Sequence, residues 1–224
     1  MALWIASIVI LSTSFLGMLI FGLSNYRETF KAKFSVLNMF PYELSYHNQG
    51  KLILFYRFFL YLYVAFSLTP ALLMVGKYVN FSGYLSYLVM IGFIFVINAV
   101  IFLTMHIIQA KFVRLHSIVA TAYFAFSVLE AGAVSIILFN LYFSIFQADI
   151  SFLVFAILEA VLGFAILLVM INPNLRNWAQ MKSEPGADGT GTLVRPKFFI
   201  LAFSEWLVIF INFGVQILLL LAYL

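Results

Sequence analysis

Six apolar runs, each long enough to cross a bilayer, leave this chain little choice of fold. A hydrocarbon core of roughly 30 Å takes about 20 apolar residues as a helix. Runs at 2–23, 52–76, 85–109, 117–144, 152–171 and 198–224 meet that length. Lipid offers no water to backbone polar groups, so each run must satisfy its own groups as a helix. The alternation of apolar and polar residues that an outer-membrane barrel requires is absent. The expectation is an all-α polytopic membrane protein, a single transmembrane domain over 1–224 built as a bundle of six transmembrane helices. The first run lacks the basic start and small-residue cleavage site of a signal peptide and reads as a retained helix.

Composition agrees with this class. Apolar residues make up 65% of the 224 and charged residues 9%, where a soluble domain runs at about half and a quarter. The absence of cysteine excludes disulfides, thiolate metal sites and cysteine nucleophiles. The cations lie mostly between the apolar runs, so they report on orientation rather than on nucleic acid. Arg27, Lys31, Lys33 and Lys51 follow the first run, Lys111 and Arg114 the third, and Arg176, Lys182, Arg195 and Lys197 the fifth. The connection after the second run has only Lys77, and that after the fourth has Asp149 and no cation. The positive-inside rule then predicts three cytoplasmic connections and both termini on the non-cytoplasmic side.

Two of those connections have a character of their own. In 25–39, Phe30, Phe34 and Leu37 fall at helical spacing among Arg27, Lys31 and Lys33. This predicts a short basic amphipathic helix lying on the anionic leaflet and ending at Phe40-Pro41. The stretch 182–197 is rich in turn formers and reads as a flexible cytoplasmic linker. Its Asp188-Gly-Thr-Gly lacks the spacing, the following lysine and the preceding strand of a phosphate loop.

Against this background, Glu130, Glu159 and Glu205 stand inside apolar runs. A carboxylate at bilayer depth costs on the order of 3 kcal/mol on insertion scales, and such groups face a protein interior or a water-filled path. Glu205, Asn212 and Gln216 are spaced by seven and four, which puts them on one helix face. They read as a polar stripe lining a path, or as hydrogen bonds between helices. Ala131, Gly132, Ala133 and Ser135 adjoin Glu130, and Gly163 stands one turn from Glu159. Small residues of this kind predict a close helix contact that takes both glutamates away from lipid. Two carboxylates sharing such a contact cannot both ionise cheaply. Phe126-Ser-Val-Leu-Glu130-Ala131 also echoes Phe155-Ala-Ile-Leu-Glu159-Ala160, which a duplication with inverted topology would explain.

By depth, Arg57 and His106 fall in one layer with Glu205 and are its candidate partners. His106 can alternatively meet phospholipid headgroups, as Lys31, Lys33, Lys111 and Arg114 are expected to do. No His-Glu-x-x-His motif, clustered-histidine pattern or Gly-x-Ser-x-Gly elbow is present, so no catalytic residue, metal ligand or cofactor is predicted. The expected partner is the lipid bilayer, with a homo-oligomer or a second membrane protein as further partners. The function this favours is a small carrier or channel in which Glu130, Glu159 and Glu205, with Asn212 and Gln216, bind a proton, a cation or a cationic substrate. The alternative is an accessory or scaffold subunit held together by the same groups. An intramembrane lipid-modifying enzyme has the least support.

Overall fold

The structure, a computed structural model, describes residues 1–48, 50–80, 83, 85–108, 112–144, 149–176, 182–185, 191–194 and 196–223. It is a bundle with six helical spans long and apolar enough to cross a membrane, as the apolar runs predict. The helices are α1 (Ala2–Phe30), α2 (Ile53–Phe66), α3 (Thr69–Tyr78), α4 (Leu85–Ile107), α5 (Val113–Ser144), α6 (Ile150–Met170) and α7 (Ile200–Leu221). Helices α2 and α3 share the second span. An integral multi-pass membrane protein follows from these lengths and compositions.

Burial separates the core of the bundle from its rim. In α5 and α7, 56% of the most apolar stretch is buried, against 28% in α6. Helix α7 touches α1, α3, α5 and α6, while α6 packs chiefly on α5. Small residues make that α5–α6 contact close: a Cβ on Gly163 would stand 3.1 Å from the Cβ of Ala131. The Ser135 hydroxyl crosses the contact to donate to the Ala156 carbonyl at 2.8 Å. Without a hydrophobic drive between helices in lipid, close packing and such hydrogen bonds hold the pair.

The second span breaks where Pro70 removes a donor. Proline at 70 cannot bond the Phe66 carbonyl, and the Thr69 hydroxyl donates to that carbonyl instead, at 2.7 Å. The Ser67 hydroxyl likewise donates to Val64 O at 2.7 Å. Side chains thus satisfy the freed backbone, which is what a broken helix at membrane depth requires.

At the other end of the fourth connection, Asp149 caps α6. Its side chain accepts from the Ser151 amide at 3.0 Å and from the Ser151 hydroxyl. These bonds, the hydroxyl's first, hold the Asp149 carboxyl below its ordinary value. Its charged form is therefore favoured in the folded state, so the cap's contribution is present above the ordinary carboxylate range. It is lost as pH falls through the lowered value. Asp149→Ala is expected to cost about 1 kcal/mol and Asp149→Asn much less. Thermal unfolding of both variants in detergent at neutral pH measures the difference.

Two expectations are corrected. The segment 25–39 is not an interfacial helix: residues 25–30 continue α1, which stops at Lys31 in the left-handed region (φ 53°). The chain then turns at Ser35–Met39 and enters a 3-10 helix, Pro41–Asn48. Phe34 turns inward to meet the Trp206 ring edge-on at 5.8 Å, and Phe40 and Tyr42 beyond it are buried, whereas Phe30 and Leu37 stay exposed. Backbone ties hold the segment under α7, with the Phe199 amide donating to Leu37 O at 2.8 Å and Trp206 Nε1 to Met39 O at 2.8 Å. The linker at 182–197 contains an antiparallel pair, Lys182–Pro185 (β1) with Gly191–Val194 (β2), in which Lys182 faces Val194. Lys111 and the Asp188-Gly-Thr segment lie outside the described residues.

Candidate functional site

Near the middle of the bundle, α2, α4, α5 and α7 bring their polar residues to one point. Helical spacing does the local work: Ser127 and Glu130 share a face of α5, as Asn212 and Gln216 do on α7. Asn98 Nδ2 donates to Glu130 Oε2 at 2.5 Å and lies 3.3 Å from the Ser127 hydroxyl. Gln216 Nε2 lies 3.4 Å from Glu130 Oε1 and donates to Asn212 Oδ1 at 3.1 Å. The Tyr63 hydroxyl reaches Gln216 Oε1 at 3.4 Å. None of these side chains is exposed beyond 4%. Of the five expected ligands, Glu130, Asn212 and Gln216 are thus brought together, and Tyr63, Asn98 and Ser127 join them. Asn98 had a signal, being the one polar side chain between Tyr87 and Thr104. Tyr63 and Ser127 resemble many others in the chain and had none.

A cavity of about 10 Å³ adjoins the cluster, lined by Tyr63, Ser67, Asn98, Phe102, Asn212 and Gln216 among others. That is about the smallest space that holds one water. Ser67 stands at the break between α2 and α3, so the broken helix faces this cavity. Asn98 Oδ1 is buried there with no hydrogen-bond partner in the protein.

Glu159 is fully buried, and neither of its oxygens has a hydrogen-bond partner in the protein. Gly163, one turn on from Glu159, abuts Ala131, the neighbour of Glu130, so α5 and α6 bring the two glutamates to one helix contact.

Glu205 stands apart from this cluster, at the end of the bundle carrying Lys31, Lys33 and Arg114. Its Oε1 lies 3.0 Å from His116 Nε2, both side chains being fully buried. His116 Nδ1 lies 3.1 Å from the Ile108 carbonyl, which only accepts, so Nδ1 donates. A proton must then sit between Nε2 and Oε1: the pair is either imidazolium with carboxylate or imidazole with carboxylic acid. Phe40 and Tyr42 close over the imidazole edge-on, each with ring centres 5.2 Å away.

The expected partners of Glu205, Arg57 and His106, are corrected by this pairing. Helix α5 begins four residues earlier than the apolar run suggests, which carries His116 into the span. His106 does not reach headgroups: it is buried, its Nδ1 bonds the Phe102 carbonyl at 3.0 Å, and its ring lies 4.3 Å from Phe102. Arg57 is half-buried and forms no ion pair among the described residues. Lys31, Lys33 and Arg114 are exposed.

Among the described residues, no three His, Asp or Glu side chains gather in a set that could hold a metal ion. Chemically, the arrangement suits exchange of a proton or coordination of a small cation by carboxylate and amide oxygens. No family model matches the chain, and neither a curated protein nor a solved structure does.

Proposed function

We propose that this membrane protein is a small carrier that takes up a proton or a small cation at Glu130. The observation that carries the reading is the small cavity inside the bundle, where a helix broken at Ser67 meets Asn98, Asn212 and Gln216 beside the carboxylate that Asn98 and Gln216 contact. Discontinuous helices facing polar groups at the bilayer midplane are how many carriers build their binding sites. On this reading the conformation is occluded. The His116–Glu205 pair under Phe40 and Tyr42 closes one side, and Trp4, Tyr78 and Tyr223, whose rings cluster with Lys77, close the other. The distribution of cations supports an orientation with the Glu205 end in the cytoplasm and both termini outside.

The test is flux in proteoliposomes that enclose a pH-sensitive dye, with imposed proton, sodium and potassium gradients. Saturable, protein-dependent flux in one of them is expected. Silence in all three would sink the carrier.

The size of the cavity favours a second reading, an accessory subunit in which the same hydrogen bonds only fix α4, α5 and α7 together. Native mass in mild detergent separates the two. A stoichiometric partner chain supports the subunit, and a lone monomer or symmetric homo-oligomer counts against it.

A further inference from the structure

A second, larger cavity lies away from the glutamate cluster, in a cleft between the basic-end termini of α5, α6 and α7. Its volume is about 580 Å³, within the roughly 300–1,000 Å³ of small-molecule sites. The floor is apolar, formed by the buried Ala120, Phe124 and Leu201. The wall towards the bundle end is polar, with Ser117 and Thr121 from α5 and Asn172 from the turn after α6.

Two features point to a ligand. A helical hydroxyl can turn back on its own backbone, as Ser7 and Ser14 of α1 and Thr104 of α4 do in donating to Leu3 O, Leu11 O and Val100 O. Ser117 and Thr121 make no such bond, although helix geometry offers it. Both hydroxyls line the cleft with their donors unspent. The second feature is charge. Arg114, Ser117, Thr121 and Phe124 recur at intervals of three and four, one stripe of α5, with exposed Arg114 at its basic end. Exposed Lys197 precedes α7. No carboxylate is among the lining residues.

We propose that this cleft is a binding site for one anionic phospholipid drawn from the adjacent leaflet. An acyl chain lies along Phe124, Ala120 and Leu201, the glycerol-ester oxygens meet Ser117 and Thr121, and the phosphate faces Arg114. Basic pockets between helices at the cytoplasmic face are where anionic headgroups bind. The proposal does not depend on the carrier reading, because its readout is lipid binding and not flux.

The experiment is native mass spectrometry of the purified full chain in neutral detergent, titrated with dioleoyl phosphatidylglycerol or with dioleoyl phosphatidylcholine. One phosphatidylglycerol per protein is expected to persist at concentrations where phosphatidylcholine is lost. Arg114→Gln, an exposed change that leaves the fold intact, is expected to weaken retention about fivefold, the worth of one basic residue near such a surface. Thr121→Trp, which fills the cleft, is expected to abolish retention. Equal retention of the two lipids overturns the proposal. So does an unchanged affinity in Arg114→Gln, whatever Thr121→Trp does. Displacement of the lipid by inorganic phosphate at the same concentration overturns it too, since that would assign the site to a free anion.

Discussion

Glutamine at position 130 is expected to reduce flux to the level of protein-free liposomes while leaving a folded protein. The substitution keeps the shape of the side chain but removes its exchangeable proton and its charge. One contact survives, because an amide oxygen can still accept from Asn98 Nδ2, which now stands 2.5 Å from Glu130 Oε2. The other is lost: the new amide nitrogen would face Gln216 Nε2, donor against donor, where Oε1 now accepts at 3.4 Å. An unmet pairing of that kind costs about 1–3 kcal/mol. The variant should therefore unfold at a somewhat lower temperature yet elute as the wild type does. Full flux with a lowered unfolding temperature would show the cluster to be structural and would end the carrier reading. Lost flux with normal elution is the result expected of a working carboxylate.

The largest effect on stability is expected from His116→Leu. Glu205 Oε2 is already buried without a partner, and the substitution would strip Oε1 as well. Removing one member of a buried pair typically costs about 3–5 kcal/mol, because the other is left uncompensated. For a chain of this size, at roughly 2–4 °C per kcal/mol, the unfolding midpoint in detergent should fall by on the order of 10 °C. The double variant His116→Leu/Glu205→Leu is expected to recover more than half of that loss, since two apolar side chains replace two polar ones. A single variant within 1 °C of wild type would contradict the pairing. A double variant no better than the single would contradict the account of its cost.

The same pair shows where a reading of the chain reaches its end. Six spans were legible because lipid imposes a length and a composition that no other environment demands. The break in the second span had a cue in Pro70, and the α5–α6 contact had one in Gly163 and its small neighbours. Glu205, Asn212 and Gln216 were legible as one helix face, because helical spacing is arithmetic on residue number, but nothing in that arithmetic joined Glu130 to the two amides. His116 was misplaced among surface cations, since its membership of α5 depends on where the helix starts. His106, which shares its depth, took its place in the expectation. The basic amphipathic segment failed for a related reason. Phe34 and Phe40 can cover lipid or cover a protein end, and the pattern of apolar residues is identical in both cases.

By itself, then, the sequence determined that the chain is a bundle of membrane-spanning helices and that three carboxylates stand inside its apolar runs. Local physics suffices for these, because hydrocarbon thickness, helical rise and charge burial act on each segment separately. Which helices touch was decided only by the tertiary structure. It gave Glu205 to His116, Glu130 to the amides of α4 and α7, and left Glu159 with no hydrogen-bond partner in the protein. The docking of the segment after α1 over His116 was decided there as well. These outcomes depend on packing between segments far apart in the chain, and rotation of a helix about its axis leaves its sequence and its depth unchanged.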